Sequence, residues 1–378
     1  MADVVIIGVG MTRFGQYADR TYVDLGVAAV IDALGDAGIE WPQIERAYCG
    51  ASTPVGPFAG NRVGHELGLS GVPIVNVDNA SASGNSAFHL AYLAVATEQC
   101  DIALGFGVGQ LGRGAIDASG ASTEERNKNV ASAAGGAMTI FSLAARRRME
   151  VFGTSAEIFG RIALKSKQYG LMAPKAQIQK EFTLEQIMSA RMIADPLTLP
   201  MCCPVGDGGA AVIVTTPKVA ARLGVTRTVK VNTSMMFGET FQQDSAWGLD
   251  SILSKAALRT YEVAGIGPSD FDVVQLHDAT ANEELEYYEA LQLCGPGEGD
   301  KLVMDGVTGL GGRLPVNTDG GLISRGHPLG PTGCAQVYEI VHQLRGEAGG
   351  RQVDNARTAL IQMTGAGSVF FLHILQAT

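Results

Sequence analysis

Short runs of β-branched and apolar residues alternate along the chain with helix-length stretches whose apolar positions recur every three or four residues. Val4-Val5-Ile6-Ile7 predicts a strand, Tyr22 to Ala37 a helix, Ile44 to Cys49 a strand, Ser83 to Thr97 a helix and Ile102 to Phe106 a strand. The pattern returns late in the chain. Val229 to Val231 and Phe271 to Leu276 predict strands, Ser251 to Val263 and Thr332 to Leu344 helices, and Thr358 to Ile361 and Val369 to Ile374 closing strands. This alternation predicts an α/β fold of parallel strands joined by helical crossovers. The two stretches also echo each other. Ala37-Gly38-Ile39 is followed five residues on by Ile44-Glu45, and Ala264-Gly265-Ile266 is followed five residues on by Phe271-Asp272. Each copy ends a helix and opens a strand, so two related halves are expected. In that alignment Gly50 corresponds to His277.

Residues 109 to 200 interrupt the alternation. The stretch contains the small-residue run Ala131-Ser132-Ala133-Ala134-Gly135-Gly136 and basic positions at Arg146 to Arg148, Arg161, Lys165, Lys167, Lys175 and Lys180. Insertions on rigid α/β scaffolds commonly carry binding function. A solvated helical excursion would read the same way. The expected organisation is a first half over 1–225, including a loop or cap insertion at about 109–200, and a second half over 226–378.

Composition narrows the function classes. At 378 residues with 46% hydrophobic and 17% charged content, the chain can bury a large core. A formal charge of −10 disfavours a nucleic-acid or anionic-membrane surface, because phosphate binding depends on clustered Lys and Arg. No apolar run is long enough to span a bilayer, and the opening residues form a strand rather than a basic, apolar leader. The last residues, Gln376-Ala377-Thr378, lack a Ser-Lys-Leu address. The six cysteines, Cys49, Cys100, Cys202, Cys203, Cys294 and Cys334, lack zinc-site spacing. A reduced, cytoplasmic setting with no metal is the expectation.

Candidate chemistry collects at predicted strand ends. Gly320-Gly321-Leu322-Ile323-Ser324-Arg325-Gly326-His327-Pro328-Leu329-Gly330 holds His327 in a fixed backbone setting with little bulk around it, which suits either a reacting imidazole or a structural turn histidine. Ile74-Val75-Asn76-Val77 runs into Asp78-Asn79-Ala80-Ser81-Ala82-Ser83-Gly84, placing Ser81 at a strand-to-helix turn. A nucleophile there gains free backbone N–H groups and a helix dipole, while Ser and Asn at a helix start equally serve as N-caps. The Gly-x-Ser-x-Gly elbow is absent, and Gly8-Val9-Gly10 followed by Arg13 misses the third glycine of a dinucleotide fingerprint. His277-Asp278 closes the Phe271 to Leu276 strand, where α/β sheets collect ligands or where a histidine caps the next helix. Three more glycine-bearing turns stand at strand ends: Met201-Cys202-Cys203-Pro204 leading to Asp207-Gly208-Gly209, Gly311 to Asn317, and Gln362-Met363-Thr364-Gly365-Ala366-Gly367. Phe237, Phe241 and Trp247 suit an apolar chamber or ordinary core.

Together these segments resemble the thiolase superfamily, and the sterol-carrier-type thiolases in particular. The likeness runs from Val4-Val5-Ile6-Ile7-Gly8-Val9-Gly10 to the last strand. It is densest at His277-Asp278 with Asn282-Glu283, at Tyr288-Glu289-Ala290-Leu291, at Gly320 to Gly330, and at Leu344-Arg345-Gly346-Glu347-Ala348-Gly349. The resemblance implies a duplicated five-layer αβαβα fold, a homodimer, and chemistry on coenzyme A thioesters with no permanently bound cofactor. The family's acyl-accepting cysteine falls at Ser81, its glycine-histidine-proline histidine at His327, and its histidine-aspartate-cysteine-phenylalanine motif at His277-Asp278-Ala279-Thr280. A C-terminal cysteine or histidine of the family falls at Gln362. Three positions for thiol chemistry are therefore non-thiol, while both histidines remain.

In the resulting expectation coenzyme A lies against the insertion and its pantetheine arm points toward Ser81, with Asn317, Gly326 and Gly365 along the substrate path. His327 and a water held by His277 stabilise the thioester enolate, and the backbone N–H groups of Ser81 and Thr364 form a second oxyanion hole. The leading reading is a thiolase-type acyltransferase acting on 3-oxoacyl-CoA thioesters, in either direction, with Ser81 as acyl acceptor or as a disabled cysteine position. A carbon–carbon lyase working without an acyl-enzyme, by retro-aldol cleavage or decarboxylation, is the second. A non-catalytic acyl-CoA binder or assembly subunit is the third. The resemblance also allows a partner subunit with an OB-fold and a zinc ribbon.

Overall fold

The structure of the chain, a computed structural model, describes residues 1–52, 55–111, 136–239, 249–366 and 369–378. Ala131 to Gly135, Phe241, Trp247 and Gly367 lie outside the described residues.

The strands of the large sheet are β1 (Val4–Met11), β2 (Arg46–Ala51), β3 (Ile74–Val77), β4 (Ile102–Gln110), β5 (Asp207–Thr215), β6 (Val229–Gly238), β7 (Val273–Gln275), β8 (Thr358–Gly365) and β9 (Val369–Ala377). They hydrogen-bond in the order β3-β2-β4-β5-β1-β6-β9-β8-β7. That order is a repeat seen twice, in mirrored sequence. In the first half β2 is parallel to β3 and β4, and β5 is antiparallel to both β4 and β1. In the second half β7 is parallel to β8 and, through Val274 and Val316, to the segment after Leu314, while β9 is antiparallel to both β8 and β6. The halves join where the two first strands pair, Val4 against Val231 to Ile6 against Val229.

The echo found in the sequence has a physical basis at each helix end. Helix α1 (Tyr22–Ala37) starts on a capping box in which the Thr21 hydroxyl accepts from Asp24 N–H while the Asp24 carboxylate accepts from Thr21 N–H, and it stops at Gly38 with φ +66°. The corresponding helix Leu249–Ala264 stops at Gly265 with φ +64°. Three-residue 3₁₀ turns, Trp41–Gln43 and Pro268–Asp270, then lead into β2 and β7.

The sheet is mixed, which corrects the all-parallel expectation. Strand β5 follows the long insertion rather than a single helical crossover, and it returns antiparallel. Alternate residues of the strands feed three separate cores. Ile7, Cys49, Leu104 and Ile213 pack with α1, on an outer layer. Tyr48, Ala103, Val212 and Ile361 pack around α2 (Ser83–Ala96) and the helix Thr332–Arg345, which form the middle layer. Leu360, Phe370 and Leu372 pack with the helices Leu249–Ala264 and Ala281–Ala290 on the other outer layer. This is the five-layer αβαβα arrangement.

The insertion is not a solvated excursion over its described part. Helices Ala137–Phe152 and Ala156–Met172 bury Ala145, Phe159, Ile162 and Ala163 against Leu285, Tyr288 and Ile323 of the second half. Three of its basic residues are committed to the protein: Arg148 donates to Glu289 and Asp300 at 2.7 and 3.0 Å, Lys165 pairs with Glu284, and Lys175 pairs with Asp32 at 2.7 Å. Among the described residues no helix is long and apolar enough to cross a membrane. No group of three His, Cys, Asp or Glu among them could hold a metal ion.

Candidate active site

Strand β3 hands the chain to a 3₁₀ turn, Ala80–Ala82, before α2 begins. Asp78 Oδ1 accepts from Ala80 N–H at 2.9 Å, and Ser83 Oγ accepts from Asn79 N–H at 2.9 Å while donating to the Ala80 carbonyl at 2.7 Å. These bonds secure Ala80 at φ +49°, a left-handed setting unusual for a residue with a side chain. They also leave Ser81 free of local partners. Its hydroxyl does not cap α2, whose N-terminus has no side-chain cap; it lies 2.9 Å from His327 Nε2, 246 residues along the chain.

The protonation pattern of that contact follows from one hydrogen. The Thr332 hydroxyl donates its only proton to the Pro328 carbonyl at 2.6 Å, so at 2.9 Å from His327 Nδ1 it acts as acceptor. Nδ1 therefore carries the ring proton, Nε2 presents a lone pair, and Ser81 O–H donates to it. Burial above all, then His277 and the Arg325 guanidinium, holds the His327 pKa well below its usual 6.5. The imidazole is neutral near pH 7 and poised as a base. Thr332 was not singled out in the sequence; its signal was a hydroxyl at a helix start five residues after the histidine.

His277, two residues past β7, faces His327 edge to face with ring centroids 5.3 Å apart. It is buried, at 4% exposure, and neither ring nitrogen is hydrogen-bonded; Nδ1 stands 3.4 Å from Glu283 Oε1. Its backbone N–H donates to Gln362 Oε1 at 3.0 Å, and Gln362 Nε2 donates to Thr364 Oγ1 at 2.9 Å. Gln362 thus ties the ends of β7 and β8 together. Asp278 serves the loop instead. Its Oδ1 accepts from Leu322 N–H at 2.7 Å, and burial followed by the Glu284 charge raises its pKa well above the usual carboxylate range. Lys167, from the insertion, donates to the Ile323 carbonyl at 2.8 Å, and burial lowers its pKa to about 8. Both brace the short helix Gly321–Arg325 that leads into His327.

The remaining predicted residues border this centre through contacts within the protein. Thr364 lies on β8 opposite Phe370, its hydroxyl 3.2 Å from that of Tyr287. A side chain at Gly365 would meet the Asn79 carbonyl at 2.4 Å, so its absence lets β8 rest on the Ser81 turn. Asn317, at φ +55°, accepts from Leu276 N–H at 2.7 Å and donates to Glu284 at 3.1 Å. Gly326, at φ +106°, leaves room for Gln177. Phe237 packs, partly buried, against the outer core of the second half.

Gly50 explains why only one half carries an imidazole at the matched position. A Cβ there would stand 2.4 Å from the Ser83 carbonyl and 2.7 Å from Gly84 N, so the start of α2 fills the space that His277 occupies in the other half. Gly50→Ala is expected to lower stability by about 1–3 kcal/mol. Displacement of the Ser81 turn should lower activity as well, read by urea unfolding and steady-state rates on one preparation.

The model of the thiolase N-terminal domain matches residues 4–218, and that of the thiolase C-terminal domain matches residues 237–376. Sterol carrier protein 2 of Rattus norvegicus is 38% identical over 96% of this chain and 70% of its own length. The benzoylsuccinyl-CoA thiolase subunit BbsB of Thauera aromatica is 35% identical over 96% of this chain and 95% of its own. An acetyl-CoA acetyltransferase of Methanothermobacter thermautotrophicus is 33% identical over 99% of both chains. Among solved structures, the Ltp2-ChsH2(DUF35) aldolase superposes with a TM-score of 0.87 at 24% identity, covering 99% of this chain and 98% of that one. Human mitochondrial 3-ketoacyl-CoA thiolase superposes with a TM-score of 0.76 at 19% identity, covering 100% and 99%. These two likenesses are of fold.

Proposed function

Since the chain belongs to the thiolase superfamily, we propose that it is an acyltransferase that cleaves 3-oxoacyl-CoA thioesters, or runs the reverse condensation, through an acyl ester on Ser81. The observation that carries this reading is the Ser81 Oγ to His327 Nε2 contact of 2.9 Å, with the tautomer set by Thr332. A serine hydroxyl needs a dedicated base, and a neutral imidazole in hydrogen-bond reach is one. Relatives whose names specify acetyl-CoA and benzoylsuccinyl-CoA support the thioester class.

In this mechanism Ser81 attacks the 3-oxo carbon as its proton passes to His327. The bond between C2 and C3 breaks, leaving the acyl group on Ser81 and the electron pair in the thioester enolate. A water held by His277 and the His327 ring stabilise that enolate, while the backbone N–H groups of Ser81 and Thr364 receive the oxyanion at the acyl carbon. The enolate takes a proton at C2 and departs as the shorter thioester; the coenzyme A thiol then attacks the ester, giving up a proton that replaces the one taken at C2, and Ser81 recovers its own proton from His327. Asn317, Gly326 and Gly365 shape the walls along which the pantetheine arm enters. No metal or redox group takes part. The chain acts as a homodimer, and the naming of BbsB as a subunit supports a further partner subunit, for which the family resemblance implies an OB-fold and a zinc ribbon.

The test is intact-protein mass spectrometry after incubation with 3-oxoacyl-CoA substrates. An acyl adduct on the parent chain that disappears in Ser81→Ala is the expected result. Cleavage without an adduct, unchanged by Ser81→Ala, would overturn this reading in favour of a non-covalent lyase in which the two imidazoles handle the protons. Binding without turnover would leave an acyl-CoA-binding role.

The histidine makes its own prediction. Because burial and two neighbours keep His327 deprotonated, kcat/KM should stay level as the pH falls through 6.5 and decline only well below it, where the ring finally binds a proton. Thr332→Val removes the acceptor for Nδ1–H and should cost about 10- to 100-fold in kcat. Thr332→Ser should retain most of the rate.

A further inference from the structure

The site has no thiol at 81, 279 or 362, yet one stands next to it. The segment after β7 forms an antiparallel bridge with the Met201-Cys202-Cys203-Pro204 turn: Cys202 faces Thr280, and Cys203 N–H donates to the Ala279 carbonyl at 2.8 Å. Cys203 is therefore opposite Ala279. Residues opposite each other in an antiparallel pair share a face, with Cβ atoms about 4.5–5.5 Å apart. The Cys203 and Ala279 side chains therefore stand side by side on one face of the bridge. Cys202 is turned the other way, buried in the outer core with its Sγ donating to the Thr198 carbonyl at 3.5 Å. Cys203, by contrast, is only half-buried.

A second observation points to the same place. His277, two residues before Ala279, is 4% exposed, and among the described residues neither of its ring nitrogens is hydrogen-bonded. Glu283 links the two residues, lying 3.4 Å from His277 Nδ1 and acting on the Cys203 thiol. Burial, followed by the neighbouring Cys202, Glu283 and Asp278, pushes the Cys203 pKa up, so the sulfur keeps its proton.

We propose that Cys203 supplies the thiol missing from position 279 and acts as the acid that protonates C2 of the thioester enolate. The assignment rests on the carbon–carbon cleavage proposed above. When the bond between C2 and C3 breaks, its electron pair moves to the enolate, and C2 takes the proton from Cys203 Sγ, leaving a thiolate. The incoming coenzyme A thiol returns a proton to that thiolate as its own sulfur attacks the Ser81 ester. Ser81 leaves with the proton held on His327.

The test separates proton transfer at C2 from acylation of Ser81. Exchange of the acetyl-CoA methyl hydrogens in D2O is followed by NMR, and acylation by p-nitrophenyl acetate is followed by nitrophenolate release, in the parent, Cys203→Ala, Cys203→Ser and Cys203→Ala with Ala279→Cys. The expected result is a loss of exchange in Cys203→Ala at least about 100-fold greater than any loss of acylation. Returning a thiol at 279 should recover exchange at least about tenfold. Cys203→Ser, which keeps the size of the side chain, should lose exchange like the alanine variant and serves if Cys203→Ala does not fold. Exchange within about threefold of the parent in either single variant, or no recovery with Ala279→Cys, would overturn the assignment. If exchange depends on Cys203 while Ser81 is never acylated, the thiol assignment stands and the ester mechanism falls.

Discussion

Ser81→Ala is expected to lower kcat/KM for 3-oxoacyl-CoA cleavage by at least about 10³-fold with little change in stability. The hydroxyl is the group that approaches His327 Nε2, and among the described residues no other side chain is hydrogen-bonded to that nitrogen. Its removal costs little to the fold. Ser81 does not cap α2, and the turn is held by Asp78 and Ser83 through bonds that do not involve the Ser81 hydroxyl. The His327 ring remains anchored through Nδ1 to Thr332. A drop in turnover with an unchanged urea midpoint would assign the loss to chemistry. Ser81→Cys retains the geometry and brings a more acidic, more nucleophilic atom to the same base, so it should cleave faster than the parent and accumulate a thioester adduct. Equal rates for the parent and Ser81→Ala would remove Ser81 from the mechanism.

The largest expected change in stability is at Arg351. Its Nε and Nη2 donate to Glu339 at 3.0 and 2.8 Å, and Glu339, on the central helix Thr332–Arg345, is 1% exposed. Arg351→Leu leaves that carboxylate with only the Thr318 hydroxyl and the Gln343 amide, each at 2.9 Å. Stranding a buried charge costs about 3–5 kcal/mol, whereas replacing both partners costs far less. Arg351→Leu should therefore shift the urea midpoint strongly, and adding Glu339→Leu should recover part of the shift. Burial already raises the Glu339 pKa with Arg351 present. Without the arginine it rises further, so the deficit should shrink as the pH falls and Glu339 takes up a proton before the unfolded chain does. A deficit independent of pH would mean that packing, not charge, accounts for the loss.

What could be read from the sequence was what short-range chemistry determines. The bounds Tyr22 and Ala37 of α1 are set by Thr21, Asp24 and Gly38, all within a turn of the helix ends. The matching helix ends at Gly38 and Gly265 announced the duplication. Strand direction after the insertion was not legible, because it depends on where a stretch of about ninety residues returns the chain. Nor was the use of Arg148, Lys165 and Lys167, whose partners Glu289, Glu284 and the Ile323 carbonyl lie more than a hundred positions away. Ser81 shows the boundary most clearly. Locally a cap and a nucleophile look the same, and only the fold shows that the Ser81 hydroxyl meets an imidazole rather than a helix end. Cys203 was visible as half of a cysteine pair, but its neighbour Ala279 was not.

In the proposed mechanism the mirrored strand order makes catalytic competence a joint property of two repeats. One copy contributes the Ser81 turn, and the other contributes both imidazoles, across a seam where the first strands meet in three residue pairs, Val4–Val231, Val5–Lys230 and Ile6–Val229. Equivalent positions have diverged into complementary duties. Where one repeat closes the space at Gly50 with the backbone of Ser83, the other keeps it open for His277. A folded first repeat alone would hold a hydroxyl without a base, and a folded second repeat alone a base without a hydroxyl. Under that mechanism turnover should report the assembly of the whole chain, and a fragment of either repeat should show none.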